Sequence, residues 1–157
     1  MKLESNLANF ELALKYHGHG MPLTVDILVN SMHMYYGDIT ADKKIQGSFF
    51  LNRDTPFRLE ISLKDKTYAH TDLTRGLDHC IEIAEVKFMN YDLMNVVHES
   101  VYHAHRDCER PNSATMIETR GSKILGQNGT WVLGTLRQPF FTWYHEITHQ
   151  GVLYELT

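Results

Sequence analysis

Phe57, Leu59, Ile61 and Leu63 alternate with Arg58, Glu60, Ser62 and Lys64. A period of two sends successive side chains to opposite faces, so this stretch reads as a half-buried β-strand with one wet face. Ser48-Phe49-Phe50-Leu51 is its expected partner, and Asn52-Arg53-Asp54-Thr55-Pro56 supplies turn chemistry between the two. The pattern commits this part of the chain to a sheet.

Elsewhere helical spacing competes. Leu3, Leu7, Phe10 and Leu14 recur at intervals of three and four, which predicts an amphipathic helix over 2–16. His17-Gly18-His19-Gly20 and Pro22 would stop it. Leu23, Val25 and Ile27 alternate like a strand, while Val25, Val29 and Met32 fit a helix; a strand is favoured at the start. Thr71 is a good N-cap for a helix with Leu73, Leu77, Cys80, Ile81, Ala84 and Phe88 as its stripe, although a strand over 80–88 is the competing reading. Leu93, Val97, Val101 and Ala104 predict a second helix ending near Pro111. Asn128-Gly129 between Lys123-Ile124-Leu125 and Trp131-Val132-Leu133 predicts a hairpin. The aromatic run after Pro139 favours a strand, and Val152 to Leu156 closes the chain. The expectation is one domain over 1–157, of α+β class. Two or three helices would pack on a mainly antiparallel sheet built from 47–64 and 114–157, with a C-terminal β-meander.

Charge and composition narrow the partners. The net charge is -4 with no polybasic run, so nucleic acid is unfavoured. No stretch of 18 apolar residues would span a bilayer, and the first residues lack the apolar core of a signal peptide. Cys80 and Cys108 read as free thiols of a reducing compartment, which points to a cytoplasm, of a cell or of an infected host, or to a virion. Ten histidines are roughly three times the average share, and imidazoles in number raise metal binding or proton transfer.

Three histidine strings bear on that chemistry. His145-Glu146-Ile147-Thr148-His149 matches H-E-x-x-H. On a helix both imidazoles would share one face, and Glu146 would serve a zinc-bound water as general base. On a strand the two histidines would stand about 13 Å apart. The string resembles the zincins, although the chain has little room downstream for a third ligand beyond Glu155. His103-Ala104-His105 with Glu109 resembles half of the cupin metal motif, His145 or His149 supplying the later histidine, yet both glycines of that pattern are missing. On the proposed helix His98, His105 and Glu109 would instead share a solvated face beside Cys108. His17-Gly18-His19, followed by Leu23, Val25 and Ile27 and then by Met32 to Asp38, is similar to the zinc strand of the pyruvoyl-tetrahydropterin synthases. Glu118-Thr119 would stand at that family's pterin anchor. Here the upstream zinc histidine and the nucleophilic cysteine are absent. No P-loop, dinucleotide fingerprint, nucleophile elbow or C-x-x-C is present.

Incomplete catalytic sets favour binding or assembly over chemistry. The order of expected elements (helix, hairpin, helices, meander with an aromatic last strand) resembles phage tail-terminator and tail-completion proteins. That resemblance implies a non-enzymatic homo-oligomer, a viral component meeting itself and other assembly proteins. The expected interface is Phe140, Phe141, Trp143, Tyr144 and Tyr154, because aromatics on both faces of one strand suggest that one face meets a partner. No cofactor is expected on this reading. The alternative is a zinc or iron enzyme using His145, His149 and Glu146, with His103 or His105 as further ligands.

Overall fold

The computed structural model describes residues 6–52, 54–72, 77–105 and 116–149. They run β1 (Asn6–His17), β2 (Leu23–Val29), β3 (Met32–Ile39), β4 (Lys43–Leu51), β5 (Phe57–Lys64), a 3-10 turn (Tyr68–His70), β6 (Thr71–Asp72) and β7 (Leu77–Asp78). Then follow β8 (Cys80–Phe88), β9 (Tyr91–Asp92), a 3-10 segment (Leu93–Glu99), β10 (Val101–His105), β11 (Met116–Arg120), β12 (Ile124–Leu125), β13 (Gly129–Thr135) and α1 (Phe140–Thr148). One sheet has the order β12-β8-β1-β4, with β9 beside β8; the other has the order β11-β10-β13-β5-β2-β3; β6 and β7 form a small ribbon. Every strand pair is antiparallel. No helix among the described residues is long and apolar enough to cross a membrane.

The two large sheets share one core. Phe10 and Leu12 from β1 and Ile83 and Val86 from β8 are buried with Ile27 from β2, Ile61 from β5 and Trp131 from β13. Phe10 meets Phe57 with ring centroids 6.4 Å apart, and Phe57 meets Phe88 at 4.5 Å, so the contact crosses from sheet to sheet. Each such side chain contributes roughly 1.5–3 kcal/mol on burial.

This architecture overturns the α+β expectation. The described residues form a mostly β, sandwich-like fold with little helix. Residues 6–17 form a strand because Ala8, Phe10, Leu12 and Leu14 carry a period-two pattern that alternates with Asn9, Glu11, Ala13 and Lys15, and a paired strand on each side, β4 and β8, rewards that pattern. Leu7, part of the supposed helical stripe, is 60% exposed. Residues 80–88 are likewise a strand, and the supposed helix over 93–104 is a 3-10 segment followed by β10. Ser48–Leu51 does not pair with β5: β4 pairs with β1 in the other sheet, so 52–56 crosses between layers. Ile124–Leu125 pairs with β8 and not with β13, so Asn128-Gly129 closes no hairpin.

The last correction concerns 140–149, which is a helix. Pro139 precedes it, and burying Phe140 and Trp143 three residues apart satisfies a helical face against the core. With a strand at the start and a helix in place of the aromatic strand, the layout that carried the likeness to tail-terminator proteins is not the layout of this chain. The viral tail reading falls with it. Tyr154, Glu155 and the 152–156 segment lie outside the described residues.

Leu12→Ala should cost about 2–5 kcal/mol, because a buried strand position loses both transfer energy and packing. Leu7→Ala should cost under about 0.5 kcal/mol. Urea unfolding of the two variants checks this, and equal losses would restore a helix at the N-terminus.

Candidate functional site

The inward apolar pattern of the six-stranded sheet leaves a polar pattern on its outer face. Register aligns it across all six strands. Glu118 on β11 stands opposite His103 on β10, His103 opposite Thr130 on β13, Thr130 opposite Ser62 on β5, Ser62 opposite Asp26 on β2, and Asp26 opposite Tyr36 on β3. Six strands about 4.8 Å apart make this row roughly 24 Å long. Ser62 Oγ and Thr130 Oγ1 are 2.9 Å apart, and His103 Nδ1 lies 3.7 Å from Glu118 Oε1.

Asp26 organises one end. Its Oδ1 lies 3.0 Å from His33 Nδ1, and its Oδ2 accepts from Lys64 Nζ at 3.4 Å. Lys64 Nζ stands 5.6 Å from the Tyr36 ring centroid, a cation–π approach. Tyr36 itself is 60% exposed. The hairpin that brings β3 here turns through Asn30 and Ser31, both with positive φ, the backbone of a two-residue primed turn. Asn30 also locks onto the neighbouring strand: its Oδ1 accepts from Arg58 N at 2.8 Å and its Nδ2 donates to Pro56 O at 2.8 Å.

Beside the middle of the row, at Thr130 and Ser62, lies a cleft of about 520 Å³, whose lining includes Ser62, Lys64, Asp65, Lys66, His105 and Thr130. Its back wall is built from side chains acting as backbone surrogates. Asn128 Oδ1 accepts from Lys66 N and its Nδ2 donates to Lys66 O, both at 2.9 Å. The buried Lys66 ammonium donates to Asp78 Oδ1 at 2.7 Å and to Gly126 O at 2.5 Å. Gly129 has no room for a side chain: a Cβ there would lie 2.2 Å from His103 O. His105 Nδ1 is buried and has no hydrogen-bond partner.

A second pocket, of about 360 Å³, lies beside Tyr16, His17, Gly18, His19, Asp78 and His79. His79 Nε2 accepts from His19 N at 3.0 Å, and its Nδ1 donates to His70 O. His70 Nδ1 accepts from Thr67 N at 3.0 Å, and its Nε2 donates to Pro22 O at 2.8 Å. A Cβ on Gly18 would lie 2.3 Å from the His79 ring. These imidazoles fasten loops together. Burial pushes the Cys80 thiol up, which works against thiolate chemistry there. The His17 imidazole, 2.9 Å away, holds the Glu82 carboxyl below its usual range.

The expected catalytic sets do not assemble. His145 and His149 do share a helix face, as H-E-x-x-H requires, but their rings stack at 4.1 Å on an exposed last turn. Glu146 Oε2 lies 3.5 Å from Gln138 Nε2. His103 and His105 sit on β10 instead of a helix. Among the described residues no group of three or more His, Cys, Asp or Glu side chains is placed to hold a metal ion. Cys108 and Glu109 lie outside the described residues. Phe140 and Trp143 of the expected interface are buried in the core, whereas Phe141 is exposed and Tyr144 partly so. Ser62, Asp26 and His33 share the outer face without making a relay, because the carboxylate stands between hydroxyl and imidazole, where a triad needs the imidazole. Sequence reading missed the row. Its one visible signal was the wet half of the 57–64 alternation.

No family model matches the chain, and no curated protein matches it. A solved structure described as "vCBM60 in complex with galactobiose" is similar with a TM-score of 0.47 and 11% identity, covering 80% of this chain and 97% of that one. A likeness that remote carries no argument about site or ligand.

The Tyr102 hydroxyl donates to Gln127 O and ties down the loop that walls the cleft. Burial pushes this phenol up to about 12, while Gln127 N donating to its oxygen at 3.1 Å works the other way. A folded value above the ordinary phenol value of about 10 gives stability that is fully present below that pH and lost as pH rises through 12. Ultraviolet titration should therefore show one phenol ionising at about pH 12, and Tyr102→Phe should remove it. Loss of a different component would unseat this assignment.

Proposed function

We propose that the chain is a non-enzymatic binding module that holds a neutral, hydroxyl-rich ligand of the oligosaccharide class across the outer face of the six-stranded sheet. The observation that supports this is the registered row Glu118, His103, Thr130, Ser62, Asp26 and Tyr36. Hydroxyl, imidazole and carboxylate groups at strand spacing offer alternating donors and acceptors. The exposed Tyr36 ring offers an apolar face for the C–H side of a sugar. The cationic groups here have carboxylates close by, Lys64 with Asp26 and Lys66 with Asp78, so the surface is not a phosphate or nucleic-acid track.

A second reading, homo-oligomeric assembly, is favoured by a different place. Phe50 is 83% exposed and stands opposite Leu7 on β1, and β4 is an edge strand among the described residues. An open edge carrying an exposed aromatic is a template for a second copy.

Titration with a panel of neutral hexose and pentose oligosaccharides, followed by amide chemical shifts, tests the first reading. Shifts should concentrate on the row, and Tyr36→Ala should weaken binding about tenfold, the equivalent of one lost stacking contact. Silence of the row toward the whole panel defeats it. Native mass spectrometry tests the second: a multimer that Phe50→Ser dissociates supports it, and a monomer at micromolar concentration ends it.

A further inference from the structure

We infer that β4 is the contact between two copies of this chain, pairing antiparallel with β4 of the second copy about a two-fold axis at Gly47. This deepens the assembly reading and rests on it. Among the described residues β4 pairs on one side only, with β1. That pairing runs without a bulge from Lys43 opposite Leu14 to Leu51 opposite Asn6, so the strand is regular along its nine residues. Soluble proteins blunt such an edge with charges, proline or bulges. Here both charges, Lys43 and Lys44, stand at the start of the strand, and Ile45-Gln46-Gly47-Ser48-Phe49-Phe50 has neither charge nor proline. On the outer face Phe50 is 83% exposed and its cross-strand neighbour Leu7 60%.

The strand's own sequence selects a second copy as the occupant. Gly47 is the midpoint of Lys43–Leu51, so an axis there pairs the whole strand. A two-fold axis normal to the sheet keeps each face continuous across the joint, because residues equally distant from the axis have the same parity. On the outer face Lys44 then stands opposite the second copy's Phe50, twice over, and an ammonium beside an aromatic ring is attractive. On the inner face Ile45 stands opposite the second copy's Phe49, a β-branched and aromatic pair of the kind that stabilises sheets. Position 43 meets position 51, so no lysine faces a lysine. Moving the axis by one residue shortens the pairing and takes Phe50 away from Lys44. The path β12-β8-β1-β4 continues through the axis into its copy as one antiparallel sheet.

Native mass spectrometry and sedimentation of the full chain give the subunit number, and a disulfide trap gives the register. In Lys44→Cys/Phe50→Cys, directly opposite side chains across the joint come within bonding range, while the same two positions in one copy lie about 20 Å apart along the strand. The chain should be a dimer, and air oxidation of the double variant should give a covalent dimer whose digest contains the peptide linked from position 44 to position 50. Phe50→Lys, which sets a lysine against Lys44 twice, should weaken the dimer at least about tenfold, and Lys44→Glu added to it should restore association. Both positions are exposed, so neither change threatens the fold. A multimer whose digest lacks that linkage, or that Phe50→Lys leaves intact, would overturn the register and leave the assembly reading standing. A monomer at micromolar concentration would overturn both.

Discussion

Four phenylalanines hold the layers in place. Phe57 on β5 packs on Phe88 of β8 at 4.5 Å and on Phe10 of β1 at 6.4 Å, and Phe140 of α1 closes against Phe88 at 5.0 Å and Phe57 at 5.8 Å. The sheet-to-sheet pairs are tilted and the two Phe140 contacts are edge-to-face, and such pairs have preferred geometry as well as buried area, so this cluster sets how the two sheets and the helix meet. Phe140 N also donates to Thr55 O, which ties the helix start to the crossing between layers. Once the sheets are fixed face to face, parity decides every other side chain on them.

That parity produces the candidate site. With Trp131, Ile61 and Ile27 turned inward, Thr130, Ser62 and Asp26 turn outward at matching register positions. A one-residue slip in β2 would send Asp26 into the core and Ile27 into water. The irregularity between Ile27 and Leu28 serves the same end: it offsets β3 so that His33 and Tyr36 both reach the outer face around Asp26. The polar outer face and the core are therefore two readings of one alternation.

The alternation was legible in the sequence only where nothing competed with it. Phe57–Lys64 has polar residues at every second position and was read correctly as a strand. Asn6–His17 holds the same period, but Leu3, Leu7, Phe10 and Leu14 also fit a helix, and local spacing alone could not decide. What decided was tertiary: strands on both sides offer partners that an isolated helix would lack. The 140–149 run failed in the opposite direction, because its aromatic content favours strands, while the structure gives it a core position that a helical face fills. The cross-strand row was illegible in principle, since register between distant strands is not written in any one of them.

The histidine excess resolves once each ring has a place. His70 and His79 stitch three loops through backbone groups, and His17, His33 and His103 each lie near a carboxylate. His98 stands 3.8 Å from Glu99, His19 packs near His79, and His145 stacks on His149. Composition suggested a ligand set, but these rings are spread over both sheets, their loops and the last helix, each with its own neighbour. His105 differs because its buried Nδ1 has no hydrogen-bond partner, although the residue lines a cleft with Lys66, Asn128 and Thr130. An imidazole used as a structural tie has its nitrogens matched by the fold itself. One left unmatched carries a desolvation cost that the rest of the fold must offset.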